Sequence, residues 1–224
     1  MQQVAIVGIV GIAQTLVILT AGIDLSVGAI MVLSSVVMGN LAVTHGMPAP
    51  LALFCGLLTG TICGVVNGFL VALVRLPPFI VTLGTWFIFE AANFIYSQNA
   101  TIRAQDVEAS APLLQFLGNT FRIGGAVFTY AVVAVVLLVA LFYYILNHTA
   151  WGRHVYALGD DPDAARLSGI STRRVLISVY AVAGLICGFA GWALIGRLGS
   201  VSPTSGYEAN IPVSYTHLTL PTTP

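Results

Sequence analysis

The chain predicts an all-α, polytopic membrane bundle of about six spanning helices, on three observations. Of its 224 residues 58% are hydrophobic and 7% are charged, with formal net charge zero, whereas a soluble domain carries about 25% charged residues. The apolar residues fall in continuous runs near the length needed to cross hydrocarbon, about 20 residues at about 1.5 Å rise each. Those runs do not alternate with polar residues at every second position, which excludes the strands of an outer-membrane barrel.

Taken in order, the runs are 3–21, 25–43, 51–73, 79–97, 126–146 and 175–195. The fifth holds no charge at all and is the plainest of them. The first has no basic flank and runs directly into the second, unlike a cleavable signal peptide. It starts inside an apolar segment, which suggests that a preceding part is missing. Residues 1–210 read as one membrane domain. Residues 211–224 are Thr/Pro-rich without apolar period and read as a non-native tail.

Composition excludes several functions. Without a basic excess the chain lacks the footprint of a nucleic-acid binder. All eight basic residues are arginine, so the phosphate-binding loop G-x-x-x-x-G-K-[ST] is impossible. Cys55, Cys63 and Cys187 lie in apolar runs without metal-ligand spacing, and neither H-E-x-x-H nor G-x-S-x-G occurs. We therefore expect no catalytic residues, metal or cofactor.

Arginine placement sets the orientation. The 148–174 loop carries Arg153, Arg166, Arg173 and Arg174, and Arg75 lies on the same side; Arg103, Arg122 and Arg197 fall opposite. The first group is assigned to the cytoplasm.

Several polar or small residues interrupt the runs. Gly56, Gly60, Gly64 and Gly68 recur every four residues and form a ridge on the third span, with Gly184 and Gly188 repeating the spacing in the last. Such ridges allow close backbone approach, inside one bundle or between subunits. Asp24, in T-A-G-I-D-L-S-V-G-A, either caps the following helix together with Ser26 or belongs to a transport path or gate. In the fourth run Trp86, Glu90, Asn93 and Ser97 share one helical face. This stripe suits a polar solute needing hydrogen bonds and an aromatic surface, and it suits interhelical contact equally. Asn67 reads as a packing residue.

The 148–174 loop holds a short helix: Asp161 as N-cap, Pro162 at the first helical position and Gly169 as the left-handed stop. About two turns long, it must dock on something to be stable. Ser171 would cap the last span.

G-I-D-L-S-V-G-A at 22–29, P-P-F-I-V-T-L-G-T at 77–85 and this loop together resemble the ribose-type permease subunits of ATP-binding-cassette importers, in order and spacing. The resemblance implies a bacterial inner-membrane protein that imports a monosaccharide or similar polar solute. It also implies a second permease copy, a solute-binding protein outside, surrounding membrane lipid, and a separate ATPase subunit at the cytoplasmic face. The loop helix would be the segment gripped by that ATPase. Asp163, Ala164 and Ala165 match the family's acidic-Ala-Ala element and Gly169 its following glycine. The two alanines would let the helix sit deeply, and Arg166 would meet an acidic wall. Family members begin with one more span and continue differently after Gly206-Tyr207-Glu208, so the chain reads as truncated at both ends. The rival expectation is an ion-coupled secondary transporter using Glu90.

Overall fold

The computed structural model describes residues 2–123 and 126–205. Nine α-helices appear among them: α1 (Gln2–Ile18), α2 (Val27–Gly39), α3 (Ala49–Ala72), α4 (Pro78–Ser97), α5 (Ala104–Ser110), α6 (Tyr130–His148), α7 (Ala150–Asp160), α8 (Pro162–Leu167) and α9 (Thr172–Leu198). The expected tail at 211–224 and Gly206-Tyr207-Glu208 lie outside the described residues.

Five helices are long and apolar enough to cross a membrane, α2 counting with the π-helical turn Asn40–Thr44 that prolongs it. The first run falls short. α1 stops at Ile18 because Thr20, Ala21 and Gly22 turn their amides back onto the carbonyls of Val17 and Ile18, with Ala21 at φ 56°. The fifth run is corrected at its start. Ala126–Thr129 is a strand, β2, paired antiparallel with β1 (Thr120–Ile123), and the helix begins only at Tyr130. Val127, Phe128 and Thr129 are β-branched or aromatic and suit a strand; the Phe121 and Phe128 rings stack with centroids 5.9 Å apart.

The bundle is organised around α9, which packs on α1, α2, α3 and α7. Its buried Val179, Tyr180, Cys187 and Ile195 join Ile9, Leu16, Ile30 and Met31 in the core. The α3–α9 seam is backbone against backbone. A methyl group at Gly60 would stand 2.5 Å from the Gly184 carbonyl oxygen, one at Gly64 would strike the Tyr180 carbonyl, and one at Gly68 would lie 2.9 Å from Cα of Ile177. Gly56 instead faces Met38 and Ser34 of α2. The glycine ridge thus seats α3 on α9 and α2 within one chain. By contrast α6 and α4 expose large apolar side chains, among them Leu137, Val139, Phe87 and Ile88, the surface that hydrocarbon accepts without cost.

The two ends of the bundle differ. The 98–123 segment folds over one end: Trp192 Nε1 donates to the Leu113 carbonyl (3.1 Å), Gln115 Nε2 donates to the Gly199 carbonyl (2.8 Å), and Ile102 bridges Val201. At the other end the α3–α4 turn, α7, α8 and the start of α9 come together.

Candidate functional site

The helix α8 forms as its residues dictate. Asp161 Oδ1 accepts from the amides of Asp163 (2.9 Å) and Ala164 (3.0 Å), Pro162 occupies the first turn, and Gly169 at φ 84° ends the helix. Only Ala165 turns inward, at 4% exposure, whereas Leu167 is 86% exposed beside exposed Pro162, Asp163, Ala164 and Arg166. Ala165 therefore packs under its own chain, contrary to the expectation that both alanines let the helix sink into a partner; Ala164 alone of the two is on the free face. Arg166 stands 3.9 Å from Asp163, a loose and exposed pair, worth little by itself.

Leu167 escaped the sequence reading. Its signal is a large apolar side chain placed one helical turn after Asp163 and Ala164, on a segment otherwise polar and small. The helix α7 also escaped it. That helix is capped by Thr149, whose hydroxyl accepts from the Gly152 amide (3.2 Å), and it buries Gly152, Val155 and Leu158. Trp151 Nε1 donates to Ser178 Oγ of α9 (2.8 Å), and Gly159 abuts the Leu19 carbonyl at the end of α1. The platform carrying α8 is thereby tied to the spanning helix α9 and to the end of α1. Ser171 forms no side-chain cap on α9, so the expected cap is absent.

Asp24 is 3% exposed, between α1 and α2. Its Oδ1 accepts from the Ser26 amide (2.8 Å) and the Ser26 hydroxyl (2.7 Å), and that hydroxyl accepts from Asn67 Nδ2 of α3 (2.8 Å). Thr82 of α4 donates to the Ile23 carbonyl (3.2 Å). Asp24 holds its own turn closed, and Ser26, rather than capping α2 with its hydroxyl, links that turn to α3. A polar knot joining the α1–α2 turn to α3 and α4 results, with Asn67 Oδ1 and the Tyr180 hydroxyl buried beside it and without hydrogen-bond partners among the described residues.

On α4 the expected stripe divides. Asn93 and Ser97 are buried, and Asn93 Nδ2 donates to the Pro203 carbonyl (2.9 Å), a tie to the turn that follows α9. Trp86 and Glu90 are half-buried along one edge, and Glu90 forms no ion pair among the described residues. Glu90 lies within the spanning helix α4 and Asp24 in the α1–α2 turn, and neither lines the cavity at α8. A cavity of about 520 Å³ opens beside α8, lined in part by Arg75, Arg166 and Arg173. Their shared cavity places the α3–α4 turn and the 148–174 segment at one end of the bundle.

Comparison with known proteins fits this architecture. Residues 1–218 match the family described as "Branched-chain amino acid transport system / permease component". The chain is similar to the fructose import permease protein of Rhizobium meliloti, 67% identical over 94% of this chain and 59% of that protein. It is also similar to the ribose import permease proteins of Bacillus subtilis, 36% identical over 92% of this chain and 62% of that one, and of Escherichia coli K12, 34% identical over 92% and 63%. The family description names amino acids, while these relatives are named for sugars. The chain spans about three fifths of their length. No solved structure matches. With several apolar helices and a family match over nearly its whole length, the chain belongs to this permease family, a multi-pass protein of the inner membrane.

Proposed function

We propose that the chain is the membrane-crossing permease part of an importer that carries a monosaccharide into the cytoplasm, energised by ATP hydrolysis in a separate subunit. A second permease copy and an external solute-binding protein complete the assembly. The observation that carries this reading is α8: a capped helix at one end of the bundle that buries a single residue and presents the rest outward. Two turns unsupported in water would not persist, and here α8 has its own platform together with a free face for a partner. The similarity to import permeases named for fructose and ribose supports the class of solute, and the 67% identity makes fructose the first sugar to test. Asp163, Ala164, Arg166 and Leu167 form the gripped face, Asp161, Pro162 and Gly169 shape it, and Trp86 and Glu90 border the path.

The ion-coupled alternative gains no support. The relatives are named as import permeases, and nothing among the described residues gathers around Glu90 to make an ion site.

The test is a cysteine at Leu167, crosslinked to the co-expressed ATPase subunit. We expect a crosslink that forms in transporting membranes and is lost when the ATPase is omitted. Transport at full rate with no crosslink from Leu167→Cys or Ala164→Cys would remove the assignment of α8.

A further inference from the structure

The cavity beside α8 gathers cationic residues, two of which, Arg75 and Arg173, have no part in the face proposed to meet the ATPase. Its wall carries Arg75 from the α3–α4 turn, Arg166 from α8 and Arg173 from the first turn of α9, with Ser171 and Thr172 beside them. Against these three cations stands one acid, Asp163, 3.9 Å from Arg166. Arg75 and Arg173 form no ion pair among the described residues. Three arginines and a single acid lining one concavity leave it with a surplus of positive charge, which attracts an anion.

Donor supply points the same way. Each guanidinium offers a planar fork of N–H groups suited to phosphate oxygens. Ser171 does not cap α9, so the positive end of a 27-residue helix is left open at this wall. A carboxylate is satisfied by a single fork; donors from three elements suit a group with more acceptor oxygens. Arg75 is held at φ 62°, a left-handed conformation uncommon for a non-glycine residue that persists where surrounding structure demands it.

Depth identifies the setting. The cavity lies where α3 ends at Ala72, α4 begins at Pro78 and α9 begins at Thr172. Those are the ends of membrane-spanning helices, hence the level of lipid headgroups. At about 520 Å³ it has room for a phosphate with its attached glycerol. We infer that Arg75, Arg173 and Arg166 form a binding site for a phosphate group, brought either by the headgroup of an anionic lipid or by free phosphate. Occupancy would pin the α3–α4 turn to α8 and α9. Arg166 is shared with the face proposed to meet the ATPase, whereas Arg75 and Arg173 lie outside it, so substitutions at those two test the anion site separately from the Leu167 crosslink.

The full chain, purified in neutral detergent, is offered phosphatidylglycerol, phosphatidylcholine or inorganic phosphate, and retention is read by native mass spectrometry alongside thermal unfolding. Phosphatidylglycerol is expected to be retained and to raise the unfolding temperature while phosphatidylcholine does neither. If inorganic phosphate protects equally, the ligand is the free anion; if it does not, the ligand is the lipid. Arg75→Gln with Arg173→Gln is expected to weaken retention roughly ten-fold or more per arginine, since hydrogen bonds between charged groups are the strong ones. Arg103→Gln, at the opposite end, should leave it unchanged. Equal retention of both lipids with no effect of phosphate would overturn the site without any variant. So would a double variant that keeps the wild-type preference, or an Arg103 variant that loses it.

Discussion

Gly64→Ala isolates the contact on which the bundle rests. A methyl group there would strike the Tyr180 carbonyl oxygen and approach Cα of Gly184 to 3.1 Å. Both are backbone, so no side chain can swing away, and α3 and α9 must separate. A gap of about 0.5–1 Å forfeits a quarter to a half of each atom-pair attraction of about 0.1–0.2 kcal/mol. Summed over some tens of pairs along the seam, the loss reaches about 1–3 kcal/mol, the usual cost of overpacking. Alanine returns about 1 kcal/mol through helix propensity. Gly84→Ala and Gly11→Ala supply the reference, because a methyl at either meets nothing within 4 Å. The expected difference between Gly64→Ala and Gly84→Ala is therefore roughly 2 kcal/mol, or about thirty-fold in the folded-to-unfolded ratio. It is measured by denaturant titration in mixed micelles, following tryptophan emission. Equal stability of the two variants would mean that α3 and α9 do not meet at this seam.

Other perturbations test other joints. Gly60→Ala and Gly184→Ala should each destabilise, but the pair should cost less than the sum, because the separation forced by one makes room for the other; the same titration on all three variants decides. Asn67→Ala removes the donor to Ser26 and should cost about 1–3 kcal/mol as a broken buried network, seen as a lowered unfolding temperature. Asp161→Ala deletes two bonds to the first turn of α8 and should cost about 1 kcal/mol locally, read as faster hydrogen exchange at Ala165 and Arg166 with global stability nearly unchanged. Glu90→Gln should preserve sugar uptake and Glu90→Leu should reduce it if the side chain serves as a polar border of the path; loss of uptake in Glu90→Gln would show that its ionisation matters.

How much was legible from residues depended on which force set each feature. Spans were legible because hydrocarbon demands long apolar runs, and the α8 cap because Asp-Pro followed by a glycine is local chemistry. Where tertiary packing overrides local pattern, legibility failed. Ala126–Thr129 is apolar enough to read as membrane, yet it pairs with Thr120–Ile123. The start of α9 has a serine in capping position whose hydroxyl does not cap. Ala164 and Ala165 are identical in sequence terms, and only the seating of α8 on its platform separates the buried one from the free one. Asn93 and Glu90 share a helical face, but a tie to Pro203 draws Asn93 into the protein, a contact 110 residues away that no local spacing encodes. Leu167 was passed over because a lone leucine in a loop carries no period.

These joints also constrain how a pull on α8 travels on the proposed function. Only a short connection separates α8 from α9, and α9 meets α3 through backbone atoms, with few rotamers available to absorb displacement. A seam of that kind moves as a unit rather than bending, because close-packed contacts have discrete arrangements. The helix α2 is joined to the same unit at Gly191, where a methyl would stand 2.5 Å from the Met31 carbonyl oxygen, and through the bond from Asn67 to Ser26. The helix α4 is attached differently. It packs chiefly on α2 and α3, exposes most of its apolar surface, and is otherwise held by isolated bonds, among them those from Thr82 to the Ile23 carbonyl and from Asn93 to the Pro203 carbonyl. Motion delivered through α9 is therefore expected to concentrate at the boundary between the rigid α2–α3–α9 unit and α4. The half-buried edge bearing Trp86 and Glu90 borders that boundary, which is where a path opening to alternate sides would need its polar lining.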